Sequence, residues 1–183
     1  MIMNSIFKSL LVFVFLTAAG FAAATDFAET KKKAEAGDAD AQFKIGYAYY
    51  KRGGANDSAE AMKWWRKAAE QGYANAQFNL GAMYGNGGRG VPKDFAEAVK
   101  WFRKAAEQGY AEAQSSLGAM YYDGEGVPKD LVQAHVWYNI AGANGNGYAQ
   151  GRLTNVENDL TSDQKAEAMK LARELFAKLP KGN

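Results

Sequence analysis

The sequence predicts an all-α fold, a solenoid of stacked helix-loop-helix repeats, from two observations. First, the chain resembles itself, because residues 61–84 and 98–121 are identical at 19 of 24 aligned positions. Second, glycines recur in step, with Gly37, Gly72 and Gly109 spaced by 35 and 37 residues. A unit of this length cannot bury its apolar face alone, so we expect neighbouring copies to stack around one continuous core.

The N-terminal residues 1–24 have the features of a secretory signal peptide. Lys8 precedes an apolar run over residues 10–16, and alanines occupy positions 22–24. The run is short for a membrane span, and signal peptidases accept small residues of this kind. We therefore expect cleavage after Ala24, a periplasmic or secreted location, and no stable membrane insertion once the signal is removed.

Composition excludes several classes of function. The chain has no cysteine, so it can form no disulfide and carry no lipid on a cysteine. Its formal net charge is +2, and acidic and basic residues are mixed along every repeat. Because no basic patch stands out, we expect no nucleic-acid partner.

The repeats are expected to be closed by a helix at each end. The segment TDFAETKKKAEAG resembles the later KDFAEAVKWFRKAAEQG with one helical turn and its tryptophan deleted, so it is interpreted as an N-terminal capping helix. The predicted order is this capping helix at 25–38, repeats at 39–72, 74–109 and 111–145, a truncated fourth repeat at 146–160, and a C-terminal capping helix at 161–179.

The repeat at 74–109 is predicted to contain a helix, a loop and a second helix. Apolar residues at helical spacing over 74–84 precede the connector GNGGRGVP, whose glycines and proline interrupt the helix. Asp94 is the predicted N-cap of the second helix, and Glu97 is expected to complete a capping box. The same roles are expected for Asp57 with Glu60 and for Asp130 with Gln133.

Two kinds of glycine recur in the repeats. Gly72 and Gly109 follow the second helices, where a left-handed conformation can end a helix without a Cβ clash. Gly46, Gly81 and Gly118 lie inside the first helices. A glycine there costs about 1 kcal/mol of helix propensity against alanine, so these residues are expected to mark the closest approach of paired helices.

Tryptophans also recur in step, at Trp64, Trp101 and Trp137. They could form a ladder that stacks on a ligand, or they could fill the core. Core packing is favoured, because residues that recur in every copy maintain the interface between repeats, whereas a partner is recognised by positions that differ.

The C-terminal helix predicted at 161–179 is amphipathic. Thr161 is its expected N-cap, with Gln164 at the box position. One stripe carries apolar residues, and Pro180 ends the pattern. We expect this helix to close the last open face of the solenoid.

Each copy fits the pattern A-x-A-Q-x-x-L-G-x-x-Y-x-x-G-x-G-V-P-K-D-x-x-x-A-x-x-W-[YF]-x-x-A-A-x-x-G. This pattern resembles the Sel-one-like repeat family, relatives of tetratricopeptide repeats. The match is close over 74–109 and 111–143, and looser in 39–72, where RGGANDS replaces the usual connector. The resemblance implies a right-handed α-superhelix with a concave face, in a family whose members typically serve as scaffolds and adaptors.

The same resemblance to the tetratricopeptide first helix places the groove-facing positions, and these differ between copies. Among them, Phe43, Tyr47, Tyr50 and Phe78 are candidate anchors for an apolar side chain of a bound peptide. The alternative, that they are solvated or partly packed surface residues, stays open. The candidate partner-binding residues are Asp40, Phe43, Tyr47, Tyr50, Lys51, Asn75, Phe78, Glu112, Ser115 and Tyr122. The remaining groove-facing positions are Ala82, Gly85, Asn86, Ala119 and Asp123.

No pattern in the chain indicates a catalytic, cofactor or metal site. The segment GNGGRG lacks the preceding strand that a phosphate-binding loop requires. His135 is the only histidine and has neither a cysteine nor a carboxylate at helical i+4 spacing, so a zinc site is not expected. No serine lies in a recognisable strained elbow that would activate a nucleophile.

The leading interpretation is therefore an exported adaptor without enzymatic activity or cofactor, which binds a protein or peptide partner on its concave face. One alternative is a cell-envelope hydrolase acting on β-lactam or peptidoglycan substrates, since some cysteine-rich relatives have been linked to β-lactam hydrolysis. This chain lacks those cysteines. A second alternative is a glycan-binding module, given the many aromatic residues.

Overall fold

Nine helices and no strand occur in residues 25–180, the part of the chain that the computed structural model describes. The predicted signal peptide, residues 1–24, lies outside the described residues. The helices are α1 (25–35), α2 (Ala39–Arg52), α3 (Ala55–Glu70), α4 (Ala74–Asn86), α5 (Phe95–Glu107), α6 (Ala111–Asp123), α7 (Leu131–Ala143), α8 (Gly147–Asp159) and α9 (Ser162–Phe176).

The helices stack in chain order, which confirms the predicted all-α solenoid. The pairs α2/α3, α4/α5 and α6/α7 form three hairpins, and each hairpin packs on the next element through α3/α4, α5/α6 and α7/α8. The core is continuous along this stack, since each apolar cluster combines residues of neighbouring repeats. No helix within the described range has the length and apolar character that a membrane crossing requires.

The glycines inside the first helices lie where paired helices approach most closely, as predicted. A Cβ built on Gly46 would lie 2.5 Å from Trp65 Cδ1, and one on Gly81 would lie 2.6 Å from Phe102 Cδ1. The third glycine, Gly118, has a ring of α7 at 3.0 Å from the same built position. Each crossing therefore excludes a side chain so that an aromatic ring can lie against the helix backbone.

The recurring tryptophans are core residues, as predicted. Trp64, Trp101 and Trp137 are 6%, 3% and 3% exposed. The ring that contacts each crossing glycine belongs to the next residue in the chain, for example Phe102 after Trp101. The two neighbouring aromatics thus pack in different places, and neither is a free stacking surface.

The predicted N-caps Asp94 and Asp130 are confirmed, but the capping box at Asp94 is wrong. Asp94 Oδ1 accepts from the Glu97 backbone N–H at 3.0 Å, and Asp130 Oδ1 accepts from Gln133 N–H at 2.9 Å. The Glu97 carboxylate does not return to the cap. It accepts from Lys100 Nζ at 2.9 Å and from Trp101 Nε1 at 3.1 Å, two donors one helical turn further along the chain.

The predicted N-cap at Asp57 is also wrong. Helix α3 begins at Ala55, directly after Gly54, and Asp57 lies in its first turn. There its carboxylate is 3.5 Å from Arg52 Nε at the end of α2. This connector lacks the Val-Pro-Lys segment of the later ones, so the helix starts earlier, and an acidic residue in the first turn still interacts favourably with the helix dipole.

A ladder of buried glutamines links the repeats, and the sequence reasoning missed it. Gln42, Gln77 and Gln114 each donate through Nε2 to a backbone carbonyl in the last turn of the preceding repeat, at 3.1, 3.0 and 3.0 Å. Their Oε1 atoms accept from Gln71, Gln108 and Asn144, at 2.8, 2.7 and 2.9 Å. Buried amides satisfied in this way fix the spacing between neighbouring repeats.

The C-terminal helix begins as predicted and packs its apolar stripe on α7. The capping box of Thr161 and Gln164 is present. Helix α9 lies against α7 rather than α8, with Ala168 and Ala172 buried in a cluster with two α7 side chains. The equivalent face of α8 remains exposed at Thr154. Helix α9 therefore covers the apolar face of α7, whereas α8 keeps an exposed face.

Candidate partner-binding groove

Two adjoining hollows open between the first helices of successive repeats. The first, of about 170 Å³ between α2 and α4, is lined by Tyr47, Tyr50, Trp65, Asn79, Ala82, Met83, Asn86, Gly87 and Arg89. The second, of about 310 Å³ between α4 and α6, is lined by Phe78, Ala82, Gly85, Asn86, Phe95, Phe102, Ser116, Ala119, Met120 and Glu125. Because both include Ala82 and Asn86, they form one surface, which we call the α4 groove.

The first hollow is built around two aromatic rings packed at a tilt. The centroids of Tyr50 and Trp65 are 5.4 Å apart. Arg89, from the connector between α4 and α5, lies with its guanidinium 4.7 Å from the Tyr50 ring and donates to the Tyr50 carbonyl at 3.1 Å. The connector therefore contacts the preceding repeat through Arg89. The cation–π contact also orients the Tyr50 ring. Above the pair, Tyr47 is 48% exposed.

The second hollow exists because α4 has small residues where α2 has tyrosines. Ala82 and Gly85 occupy the repeat positions of Tyr47 and Tyr50. Phe78 borders the space, with its ring 5.7 Å from that of Phe102. The walls are thus mostly apolar, and the charged lining residue is Glu125.

A third hollow, at the N-terminal ends of α4 and α6, is larger but less suited to binding. Its volume is about 680 Å³, and Asn75 and Glu112 line it together with backbone and amide groups. The side-chain amides of Gln108 and Asn144 in its wall already donate to the glutamine ladder. Its polar amides are therefore committed to the fold. Half-buried rings of Tyr73 and Tyr110 also line it, but the lining of the α4 groove is the more apolar of the two.

The structure divides the predicted partner-binding residues among several places. Tyr47 and Tyr50 line the first hollow and Phe78 lines the second. Asn75 and Glu112 line the third.

The remaining members of the predicted set lie outside the hollows. Phe43 stacks on Tyr73 with centroids 5.2 Å apart. Lys51 Nζ is 6.0 Å from the Tyr47 ring. Ser115 is only 5% exposed, and Tyr122 donates to Asp159 Oδ2 on α8 at 3.1 Å.

Asp40 is engaged in local contacts. Its carboxylate lies 2.6 Å from Lys44 Nζ and accepts from Tyr73 OH at 2.9 Å. The hydrogen bond from Lys44, followed by that from Tyr73, lowers the pKa of Asp40 below its usual range. Asp40 therefore stays ionised, and its hydrogen bond with Tyr73 connects α2 to the start of α4.

His135 is buried in the interface between α7 and α8. It is 1% exposed, and its Nε2 is 3.3 Å from Glu157 Oε1. Burial lowers the pKa of His135, and the Glu157 carboxylate opposes part of that shift. Nowhere in residues 25–180 do three or more histidine, aspartate or glutamate side chains gather in a group that could hold a metal ion.

Ala82 and Gly85, which leave the groove open, are groove-facing positions in the sequence prediction but are absent from its candidate partner-binding set. The signal was present, because tyrosine occurs at positions 50 and 122 while Gly85 stands between them in the repeat alignment. Arg89 belongs to the predicted connector, and only the fold shows that it reaches Tyr50.

These repeats can now be compared with known proteins. A model of the Sel1 repeat matches residues 39–73, 74–110 and 111–146. The chain belongs to the Sel1 repeat family. All three matched segments contain a crossing glycine and a ladder glutamine. Sel1 repeats generally mediate protein–protein interactions, and proteins of this fold are typically non-catalytic scaffolds.

Two solved structures are similar to this Sel1 repeat protein. The first is c5321, described as a protective antigen present in uropathogenic Escherichia coli strains and displaying an SLR fold. It is 40% identical with a TM-score of 0.79, over 84% of this chain and 33% of c5321. The second, a Sel1 repeat protein from Oxalobacter formigenes, is 42% identical with a TM-score of 0.63, over 71% of this chain and 98% of that one.

The chain therefore spans about one third of the length of c5321 and nearly all of the Oxalobacter formigenes protein. No curated protein matches the chain.

Proposed function

We propose that this protein is an exported adaptor without catalytic activity, which binds a segment of a partner protein in the α4 groove. The observation that carries the proposal is the ring of Tyr47, which is 48% exposed at the edge of an open hollow. Large aromatic residues at the rim of a pocket are the usual anchors of protein interfaces.

The geometry of the groove suits an extended segment. It crosses α2, α4 and α6, so one bound chain would contact three successive repeats at positions where their sequences differ. Asn79 and Asn86 face it from α4, and their side-chain amides can both donate to and accept from a peptide backbone. Backbone contacts would supply affinity, and the hollows would select side chains.

The chemistry of the groove supports binding rather than catalysis. Its lining, as described above, contains no histidine, lysine or cysteine, and its charged residues are Arg89 and Glu125. Arg89 is held by Tyr50 in the first hollow, whereas Glu125 lies in the second. Neither is paired with a nucleophile in the manner that acyl or glycosyl transfer requires.

The adaptor proposal is tested by crosslinking in the native cell, followed by capture and mass spectrometry with two matched variants. Tyr47→Ser removes the exposed groove anchor, and Tyr148→Ser removes a tyrosine on α8 that is 63% exposed and lies outside the groove. We expect Tyr47→Ser to reduce capture of the partner at least about tenfold, as for an interface hot spot. Tyr148→Ser should behave like the wild type.

Neither tyrosine is buried, so both variants should keep the helical circular dichroism of the wild type. Phe43 and Phe78 are less useful targets because they stack on Tyr73 and Tyr110, and their loss would disturb the repeat interface. Equal capture by the two tyrosine variants would contradict the assignment of the groove.

Export rests on the sequence of residues 1–24 and is tested separately. We expect N-terminal sequencing of the protein from the periplasm or the medium to begin at Thr25. Recovery of an intact Met1 in the cytoplasmic fraction alone would contradict this part of the proposal.

A further inference from the structure

The neighbouring repeats show which kind of side chain the second hollow of the α4 groove fits. In α2, the ring of Tyr50 packs on Trp65, the residue that contacts the crossing glycine. In α6, Tyr122 holds the same repeat position and packs against the cluster that contains Tyr138. A tyrosine at this position therefore packs on the ring of the paired helix in α2 and on the apolar cluster around that ring in α6.

The third helix, α4, has no side chain at this position. The repeat equivalent of the two tyrosines is Gly85, and the equivalent ring of the paired helix is Phe102. A Cβ built on Gly85 would lie 3.6 Å from Ala98 Cβ and 4.0 Å from Phe102 Cε2, both ordinary contact distances. The backbone therefore has room for a side chain that the sequence does not supply.

The space next to Gly85 is large enough and apolar enough to receive a ring. The hollow measures about 310 Å³, at the lower end of the range for small-ligand pockets. Phe78, Phe95 and Met120 line it together with Phe102, so an entering ring would meet two to three aromatic edges and a polarisable thioether.

The charged residue in the lining of the second hollow indicates which kind of side chain should lie next to the entering ring. Glu125 belongs to the lining, is exposed, and follows the end of α6. The other described lining residues are uncharged. A cation beside Glu125 would therefore meet an opposite charge, while Lys93 Nζ, 4.9 Å from the ring of Phe95, places a positive charge at another part of the rim.

We propose that the second hollow is a seat for an aromatic side chain of the partner protein, with an adjacent lysine or arginine of the same segment paired to Glu125. This inference rests on the proposed adaptor function and specifies the partner sequence that the groove selects. The entering ring takes the place beside Phe102 that Tyr50 takes beside Trp65 in the preceding repeat.

The test uses short blocked peptides as probes and methyl-labelled methionine signals in NMR as the readout. Met120 lines the second hollow and Met83 lines the first, so the two signals separate the sites. With acetyl-Gly-Tyr-Lys-Gly-amide we expect a saturable shift of the Met120 signal. Replacing tyrosine by leucine should weaken binding about 2- to 10-fold, and replacing lysine by glutamate about 2- to 5-fold at low salt.

Two matched variants at one position test the seat itself. In Gly85→Tyr the new ring occupies the second hollow and blocks the ring of the peptide. We therefore expect at least about tenfold weaker peptide binding with the helical content retained. Gly85→Ala adds only a methyl group and should bind like the wild type. Glu125→Lys gives a readout that does not depend on accommodating a new ring, since it should invert the preference between the lysine and glutamate peptides.

Three results would each overturn the assignment of the second hollow as a site for an aromatic side chain. They are unchanged peptide binding by Gly85→Tyr, equal binding of the tyrosine and leucine peptides, and a Met120 signal that the peptide does not shift in the wild type. Partner capture in the cell that is lost in Tyr47→Ser but intact in Gly85→Tyr would overturn the seat and leave the adaptor function standing. If the peptide shifts the Met120 signal but no protein captured in the cell depends on Tyr47, the adaptor function is overturned instead.

Discussion

The helix pairs α4/α5 and α8/α9 begin from similar sequences and end in different arrangements. In α4, Gly81 leaves no side chain at the crossing, and Phe102 of α5 lies against the backbone. In α8 the equivalent residue is Thr154, which is exposed, and α9 lies on α7 instead. The closed hairpin thus has a glycine at the crossing, and the helix pair that does not close has a threonine there.

The same contrast extends along the two helices. Gln114 and Leu117 of α6 are both 0% exposed, as they complete the interface with the neighbouring repeats. Their equivalents in α8 are Gln150, which is exposed, and Leu153, which is half-buried. The residue types of the repeat persist in α8, but their burial does not, because the paired helix that would cover them is elsewhere.

The largest expected effect comes from filling a crossing. In Gly81→Leu the new Cβ would fall 2.6 Å from Phe102 Cδ1, so the α4/α5 pair must separate. We expect a loss of about 3 kcal/mol in the free energy of unfolding, the upper end of the cost of overpacking a core. Urea denaturation followed by circular dichroism measures it.

The matched control is Thr154→Leu, which places the same side chain at the equivalent, exposed position of α8. It should change stability by less than about 0.5 kcal/mol. If the two variants lost similar stability, the crossing would not be what distinguishes the two regions.

A smaller effect is expected from the glutamine ladder. Gln114→Leu removes the donor to the Ala106 carbonyl and leaves the Asn144 amide without its acceptor. The loss of these two hydrogen bonds, one of them at the half-buried Asn144 amide, should lower the free energy of unfolding by about 2 kcal/mol. Gln150→Leu, at the exposed equivalent, serves as the control, and an equal loss in both variants would exclude the ladder as a source of stability.

The smallest expected effect concerns pH at the interface between α7 and α8. Burial lowers the pKa of His135 below 6.5, so the folded protein favours the neutral ring more than the unfolded chain does. This stabilisation is present above pH 6.5 and is lost as the pH falls through the lowered pKa of the folded state. Glu157 and Lys165 face the ring, the first favouring and the second opposing its protonation.

We therefore expect the urea midpoint of the wild type to fall between pH about 7.5 and about 5, the range in which histidine titrates. His135→Leu cannot titrate at this position and should show a smaller fall. A variant with the same pH dependence as the wild type would assign the effect to other groups.

Much of the fold could be predicted because the same local sequence signals occur in three successive repeats. The crossing glycines, the core tryptophans and the caps at Asp94 and Asp130 follow from local chemistry at fixed spacing, and the structure confirms them. The failed N-cap at Asp57 lies in the one repeat whose connector departs from the pattern. Prediction by analogy thus weakened where the copies differ.

The candidate site could be predicted only in part. Resemblance to the tetratricopeptide first helix placed it on the first helices with Tyr47, Tyr50 and Phe78 as anchors, and these residues do line the groove. The alignment also selected Ser115, which proves buried. Whether a given groove-facing position is open depends on the side chains of two neighbouring repeats, and one helix sequence does not contain that information.

The amino-acid sequence by itself determined which segments become helices, where most of them begin and which faces they bury, because capping, helix-ending glycines and apolar spacing act within a few residues of one another. Only the tertiary structure decided that α9 lies on α7, that Arg89 reaches Tyr50, and that the space beside Gly85 is open. Each of these depends on the shape of surfaces from distant parts of the chain, and such shape exists only once the repeats have stacked.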